Sequence, residues 1–197
     1  MTRVRMLIVG LLCCAVGCGD PVSPPGAQGK GWRSLFNTRD LSGWSVQCPE
    51  SERAQQYWQV QDGVIECNSL AGGRHDYHWL MSEQEFGDFH LRLKFQVFQA
   101  SPGNSGLQFR SRYDTSNAVT KGPWLHGPQV DIHPPMPLRT GLIYDETWET
   151  RRWIHPSLPN SRIVPEKSPA AAHQTQLVYA DDDPSLWNEL ELICQGT

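Results

Sequence analysis

The stretch Asp88 to Phe98, DFHLRLKFQVF, alternates without a break. Phe89, Leu91, Leu93, Phe95 and Val97 take one face, and His90, Arg92, Lys94 and Gln96 take the other. A segment patterned this way has to be a strand with one side on a core and the other toward water, which is the habit of antiparallel sheets. The pattern recurs down the chain. In SGLQFRSRY, Leu107 and Phe109 oppose Gln108, Arg110 and Arg112; in PQVDIH, Val130 and Ile132 oppose Gln129, Asp131 and His133; GLIYDE follows suit. YWQVQDGVIECN reads as two short strands around Asp62-Gly63, a pair suited to a turn whose residues both need positive φ. The 15 prolines and 17 glycines fall mainly between these runs, and no helical stripe of useful length appears. At 197 residues and 39% hydrophobic, the chain can fill one sizeable core, so the expectation is a single all-β domain built as an antiparallel β-sandwich.

The N-terminus stands apart. Arg3 and Arg5 precede MLIVGLLCCAVG, an apolar run with the layout of a secretory signal and too short to span a bilayer comfortably. It ends at Cys18 in AVGC, as in a bacterial lipoprotein signal whose cysteine is acylated, although Ala15 sits where leucine is commonest; an ordinary cleaved signal is the other reading. Residues 1–18 are therefore expected to be a lipoprotein-type signal, residues 19–31 a flexible Pro/Gly linker, and residues 32–197 the folded domain. This places the protein outside the cytoplasm, in the cell envelope or periplasm, held to a membrane through Cys18. Net charge −4 and a pI near 5.9 provide no basic field for nucleic acid. Cys48, Cys67 and Cys194 remain in the domain, an odd number without CxxC spacing; this speaks against zinc but leaves room for one disulfide, Cys48 to Cys67.

If the alternating strands are neighbours, their polar faces merge into one patch containing Arg92, Lys94, Gln108, Arg110, Gln129, Asp131, His133 and Tyr144. Solvated faces usually carry Lys, Glu and Thr; the later strands carry Gln, Asp, His, Arg and Tyr, which hydrogen-bond directionally. Trp124, Trp148 and Trp153 fall in the flanking loops, where indoles could stack on sugar rings. A groove with a few convergent polar groups is the expectation. HDYH, His75 to His78, reads as exposed turn residues rather than a metal pair, and DDD, Asp181 to Asp183, as a solvated loop in which calcium is the one cofactor to consider.

Taken together and in order, WRSLFNTRDLSGW, WQVQDGVIE, LMSEQEFGDFHLRLKF, NSGLQFRSRY, GPQVDI, TGLIYDE and WNELELICQG resemble the 3-keto-disaccharide hydrolase family, also described as 3-keto-glucoside lyases and 3-keto-2-hydroxy-glucal hydratases. The resemblance runs from Trp32 to the C-terminus. It implies a concanavalin-like jelly roll and an oligosaccharide or glycoside substrate. It also implies further strands after the last segment; since the chain ends at Thr197, a sandwich lacking its closing C-terminal strands is expected.

The implied reaction starts from a sugar oxidised to a ketone at C3. The ketone acidifies the C2 proton, a base removes it, and the enolate expels the anomeric substituent. Such a site needs a base, an oxyanion stabiliser and an acid. On this reading Asp131 is the leading base or acid, His133 or His126 the second proton carrier, and Arg110 the oxyanion stabiliser. Gln108, Gln129, Tyr144 and Trp124 would bind the sugar. Arg110 could equally be a structural partner of Asp131 across the sheet, His133 could merely end its strand before Pro134 and Pro135, and Asp145 and Glu146 are further acids that could merely terminate theirs. A carbohydrate-binding sandwich without catalysis would use the same row, and a conventional glycosidase would need a second well-placed carboxylate beside Asp131.

Overall fold

The computed structural model describes residues 3–13, 31–70, 73, 75–99, 101, 104–116, 122–133, 139–155, 177–181 and 183–196. Its strands are β1 (Arg3–Cys13), β2 (Trp32–Arg33), β3 (Trp44–Gln47), β4 (Trp58–Gln61), β5 (Val64–Asn68), β6 (Trp79–Ser82), β7 (Phe89–Val97), β8 (Ser105–Gln108), β9 (Arg112–Asp114), β10 (Trp124–His126), β11 (Pro128–Ile132), β12 (Ile143–Asp145), β13 (Arg152–His155) and β14 (Asn188–Cys194). One 3₁₀ turn, Glu50–Glu52, interrupts them, and there is no α-helix among the described residues.

All the ladders are antiparallel. One sheet runs β14-β7-β1-β5-β4, with β2 also on β1; a second runs β13-β12-β11-β8; two-stranded pieces β10-β9 and β3-β6 complete the set. The apolar faces meet as the periodicity predicts. Phe89, Leu91, Leu93, Phe95 and Val97 of β7 are buried in one cluster with Ile65 of β5, Leu192 of β14, and Val130 and Ile132 of β11, and Leu107 and Ile143 pack against it. This is the β-sandwich expected of the jelly-roll class. The turn between β4 and β5 is built as anticipated: Asp62 has φ 53° and Gly63 φ 76°, the left-handed pair that Asp-Gly reaches at low cost.

The merged polar patch does not form. β7 belongs to one sheet and β8, β11 and β12 to the other, so Arg92 and Lys94 lie on the outer face opposite to Gln129 and Asp131. There they meet β14: Arg92 and His90 share Glu191, and Lys94 pairs with Glu189 at 2.8 Å. This is a solvated cross-strand charge ladder. The disulfide does not form either. Cys48, Cys67 and Cys194 are all free thiols, because β3 carries Cys48 away in the β3-β6 piece while Cys67 sits on β5 in the larger sheet. Burial pushes the Cys67 thiol up to about 12.

One difference concerns the N-terminus. The backbone of Arg3–Cys13, expected to lie outside the fold, forms the central strand β1, pairing Arg3 to Met6 with β5 and Val4 to Cys13 with β7. A central strand buried on both faces reads as an unbroken apolar run, and so does the core of a leader; periodicity cannot separate the two. Cys18 and residues 19–30 lie outside the described residues.

Candidate functional site

β11 is the centre. Its Gln129 stands opposite Gln108 on β8 and Tyr144 on β12, and Tyr144 stands opposite Trp153 on β13, so these four share a face. Asp131, two residues on, faces Gly106. A Cβ on Gly106 would lie 2.4 to 2.8 Å from the Gln129 side chain, so the missing side chain is what lets Gln129 lie flat across β8. From there Gln129 Nε2 donates to Asp131 Oδ1 at 2.7 Å.

Asp131 is not solvated, as an outer face alone would suggest, but only 3% exposed. The turn after β11 folds back on it: Asp131 N–H donates to Leu142 O and its own carbonyl accepts from Gly141 N–H. Burial pushes its carboxyl up to about 7; the Gln129 hydrogen bond holds it down, Glu146 pushes it up further, and Arg139 pulls it back. Glu146 is buried beside it and is also raised, again chiefly by burial, with Arg151 opposing. A carboxylic acid poised near neutrality next to a second raised one can both take and give protons.

The cations and the Tyr77 phenol come from loops. Arg151 sits at φ 32°, an uncommon conformation for a non-glycine residue. Its charge lies close enough to Tyr77 and Tyr144 to favour their ionised forms, and the guanidinium lies 3.8 Å from Glu146 Oε2 and stacks over Trp148 and Trp124 at 4.8 and 5.6 Å from the ring centres. Tyr77, Trp79, Trp124 and Trp148 form one aromatic wall: Tyr77 is stacked on Trp79 (5.6 Å, 11°) and edge-on to Trp124 (4.8 Å). Glu146 Oε2, Arg139 Nε and Trp153 Nε1 are buried with no hydrogen-bond partner among the described residues. Unmatched donors and an acceptor around two carboxyls are what a polar ligand would satisfy.

A cavity of about 900 Å³ opens between β6 and β8, lined by Gln108, Gln129, Arg110 and Tyr77 above a floor of core residues such as Leu91, Leu93 and Ile132. Gln129 is the link from this space to Asp131.

The structure brings Asp131, Gln129, Tyr144 and Trp124 together. It sets Gln108 beside them with its amide donated to Leu125 O, tying β8 to β10. His126 is buried on β10, where its Nδ1 accepts from Trp148 N–H at 3.4 Å. His133 follows β11, its N–H donating to Thr140 Oγ1. Arg110 lines the cavity but pairs with Asp88 at 3.3 Å near Cys194 rather than with Asp131, whose charged neighbours are Glu146 and Arg139. Sequence reasoning misses Arg139, Arg151 and Tyr77 as site members and names Glu146 only as a further acid that could merely terminate its strand. Only Glu146, one residue past a polar-faced strand, carried a usable signal; the others arrive on turns that no period describes.

His75 and His78 contact Ser69 and Glu52, and no group of three or more His, Cys, Asp or Glu suited to a metal exists among the described residues. Asp181 accepts from Gln99 N–H and Asp183 from Ser185 N–H; Asp182 lies outside the described residues.

Comparison with known proteins gives one match. The family model described as a 3-keto-alpha-glucoside-1,2-lyase-like domain covers residues 31–197. No curated protein and no solved structure matches the chain.

Proposed function

The chain belongs to the 3-keto-alpha-glucoside-1,2-lyase-like domain family, and from that premise we propose that it cleaves 3-keto-glycosides by removing the C2 proton and eliminating the anomeric substituent. Membership supports a carbohydrate-active role; the residues carry the rest of the reading. The observation that weighs most is the buried Asp131 carboxyl, raised to about 7 beside the raised carboxyl of Glu146.

In the proposed mechanism Asp131, ionised near neutral pH, takes the proton from C2, whose acidity comes from the C3 ketone. The electrons of that C–H bond move toward the C3 oxygen, where the Arg151 guanidinium stabilises the enolate in a water-poor site. As the enolate collapses, the C1–O bond breaks, and Glu146, whose burial favours its neutral form, donates a proton to the departing oxygen. The products are a 2-hydroxy-glycal bearing the ketone and a free alcohol; water can later add across the glycal double bond. The aromatic wall of Tyr77, Trp79, Trp124 and Trp148 offers a stacking surface for the ring faces.

Export is part of the same proposal. Residues 1–18 carry the leader, Cys18 becomes the acylated anchor, and the enzyme works at the envelope on glycosides arriving from outside. Calcium binding at the loop with Asp181 and Asp183 is proposed only as an accessory to that setting.

The test is incubation with a 3-keto-disaccharide and with its unoxidised parent, following released reducing sugar and 2-hydroxy-glycal. Product from the keto substrate alone is expected, with Asp131→Asn slowed at least ~100-fold, as for a general base. Cleavage of the parent at a comparable rate would make it a conventional glycosidase using Asp131 and Glu146. Binding of sugar without cleavage would make it a carbohydrate-binding domain.

A further inference from the structure

The HDYH segment contains more than an exposed turn. His75 Nδ1–H donates to Asp76 O at 2.8 Å, which leaves Nε2 to accept from Ser69 Oγ at 2.9 Å. Asp76 N–H donates to both carboxylate oxygens of Glu52, at 3.0 and 3.2 Å, and His78 Nε2–H donates to Glu52 Oε2 at 2.7 Å. The rings of His75 and His78 pack against Tyr57, with centroids at 5.0 and 4.7 Å. Three of the four residues are thus fastened to the scaffold, and Glu52 holds two of them. His78 side-chain exposure is 4% and that of Glu52 20%, so these charge-assisted bonds are shielded from water.

Tyr77 is the exception. It packs on Trp79 and Trp124 instead, remains 49% exposed, and lies close enough to Arg151, Glu146 and Asp131 to feel their charge. His75, Asp76, Tyr77 and His78 all line the cavity between β6 and β8. A half-exposed phenol, stacked on Trp79 and presented at the rim of a carboxylate site, has the chemistry of a sugar contact: an apolar face for the ring and a hydroxyl for its oxygens.

Resting on the function proposed above, we propose that residues 75–78 form an arm that grips the sugar, with Tyr77 as its ligand contact and Glu52 as the positioning residue that holds the arm in place. Glu52 touches no substrate. It acts through Asp76 and His78, and its removal frees the arm without altering Asp131 or Glu146.

The experiment compares Glu52→Ala, Glu52→Gln, Tyr77→Ala and wild type in two assays. One is turnover of the 3-keto-disaccharide; the other is binding of the unoxidised disaccharide, read by fluorescence of the tryptophans beside Tyr77. Glu52→Ala is expected to raise KM at least tenfold with kcat changed less than threefold. Glu52→Gln, whose amide oxygen still accepts from His78 and Asp76, should recover to within threefold of wild type. Tyr77→Ala removes an exposed side chain, folds as wild type does, and should weaken binding at least tenfold. Wild-type KM and binding in Glu52→Ala and in Tyr77→Ala would overturn the arm, and so would a Glu52→Gln variant as impaired as Glu52→Ala. If wild type binds the disaccharide and the variants lose it, but no keto substrate is cleaved, the arm stands and the lyase chemistry falls. If cleavage occurs and the variants match wild type in both assays, the chemistry stands and the arm falls.

Discussion

Gln129 donates its side-chain amide to the carboxylate of Asp131, two residues along the same strand and on the same face, at 2.7 Å. Without that bond the buried carboxyl would be raised further, since burial and Glu146 both favour its neutral form. The kcat/KM for a 3-keto-glycoside should therefore rise with pH through about 7 as Asp131 ionises, and in Gln129→Leu the rise should move to higher pH. A Gln129→Leu profile that coincides with wild type or moves down would remove Asp131 as the titrating base.

The same group affects stability. Its folded pKa of about 7 lies above its ordinary value of 3.8, so between those pH values the folded state holds a proton that the unfolded chain has released. Stability is then complete below about pH 4 and falls as pH rises through about 7. At ~1.36 kcal/mol per pKa unit, the loss at pH 8 is on the order of 4 kcal/mol. Asp131→Asn, which cannot ionise, should melt higher than wild type at pH 8 and close to it at pH 4. Equal melting temperatures at both pH values would show that Asp131 is not held neutral by burial.

Gly106 gives a steric test of the same arrangement. Gly106→Ala places a methyl group 2.4 to 2.8 Å from Gln129 atoms, too close for the amide to stay where it is. Overpacking of this kind costs ~1–3 kcal/mol, and the displaced Gln129 should lose its bond to Asp131. Expected outcomes are a lower melting temperature, at least a tenfold drop in kcat/KM, and the same upward shift of the pH profile as in Gln129→Leu. A shift in stability with an unmoved profile would mean that Gln129 does not tune Asp131.

How far the sequence reached depends on the kind of feature. Strict alternation in β7 and β11 placed Leu93, Val130 and Ile132 in the core and Gln129 and Asp131 on the far face, because the side-chain period of a strand is fixed by its pleat. It could not say which strands share a sheet, so Arg92 and Lys94 were grouped with residues that the topology sets on the opposite side. Nor could it see that an outward-facing Asp131 is buried, with Gly141 and Leu142 bonded to its backbone, or that Arg151 is brought in at a left-handed backbone position. Those are properties of connections, and connections carry no period.

The regrouping of Arg92 and Lys94 has a direct check. Both pair with exposed glutamates on β14, with side chains 55% and 41% exposed, and exposed pairs contribute only ~0–1 kcal/mol. Arg92→Ala and Lys94→Ala should leave turnover within twofold of wild type and melting within a few degrees. A tenfold loss of turnover in either would restore the merged groove that the fold excludes.

The last prediction concerns β1. Its backbone is the partner of β7 from Val4 to Cys13 on one side and of β5 on the other, so the chain with residues 1–17 and the chain without them are different folded objects. Removing the segment takes the central strand out of a sheet and leaves two rows of backbone donors and acceptors facing each other across a gap; unmatched groups of that kind cost ~1–3 kcal/mol each when they cannot reach water. A version beginning at Cys18 should therefore melt well below the full chain, exchange the amides of β5 and β7 faster, and expose apolar surface to a hydrophobic dye. If both versions melt together with equal protection of β5 and β7, then β1 contributes nothing to the sheet, and Arg3–Cys13 serves only as the leader its sequence suggests. A large difference would mean that cutting at Cys18 leaves a slot between β5 and β7 that the exported domain has to fill.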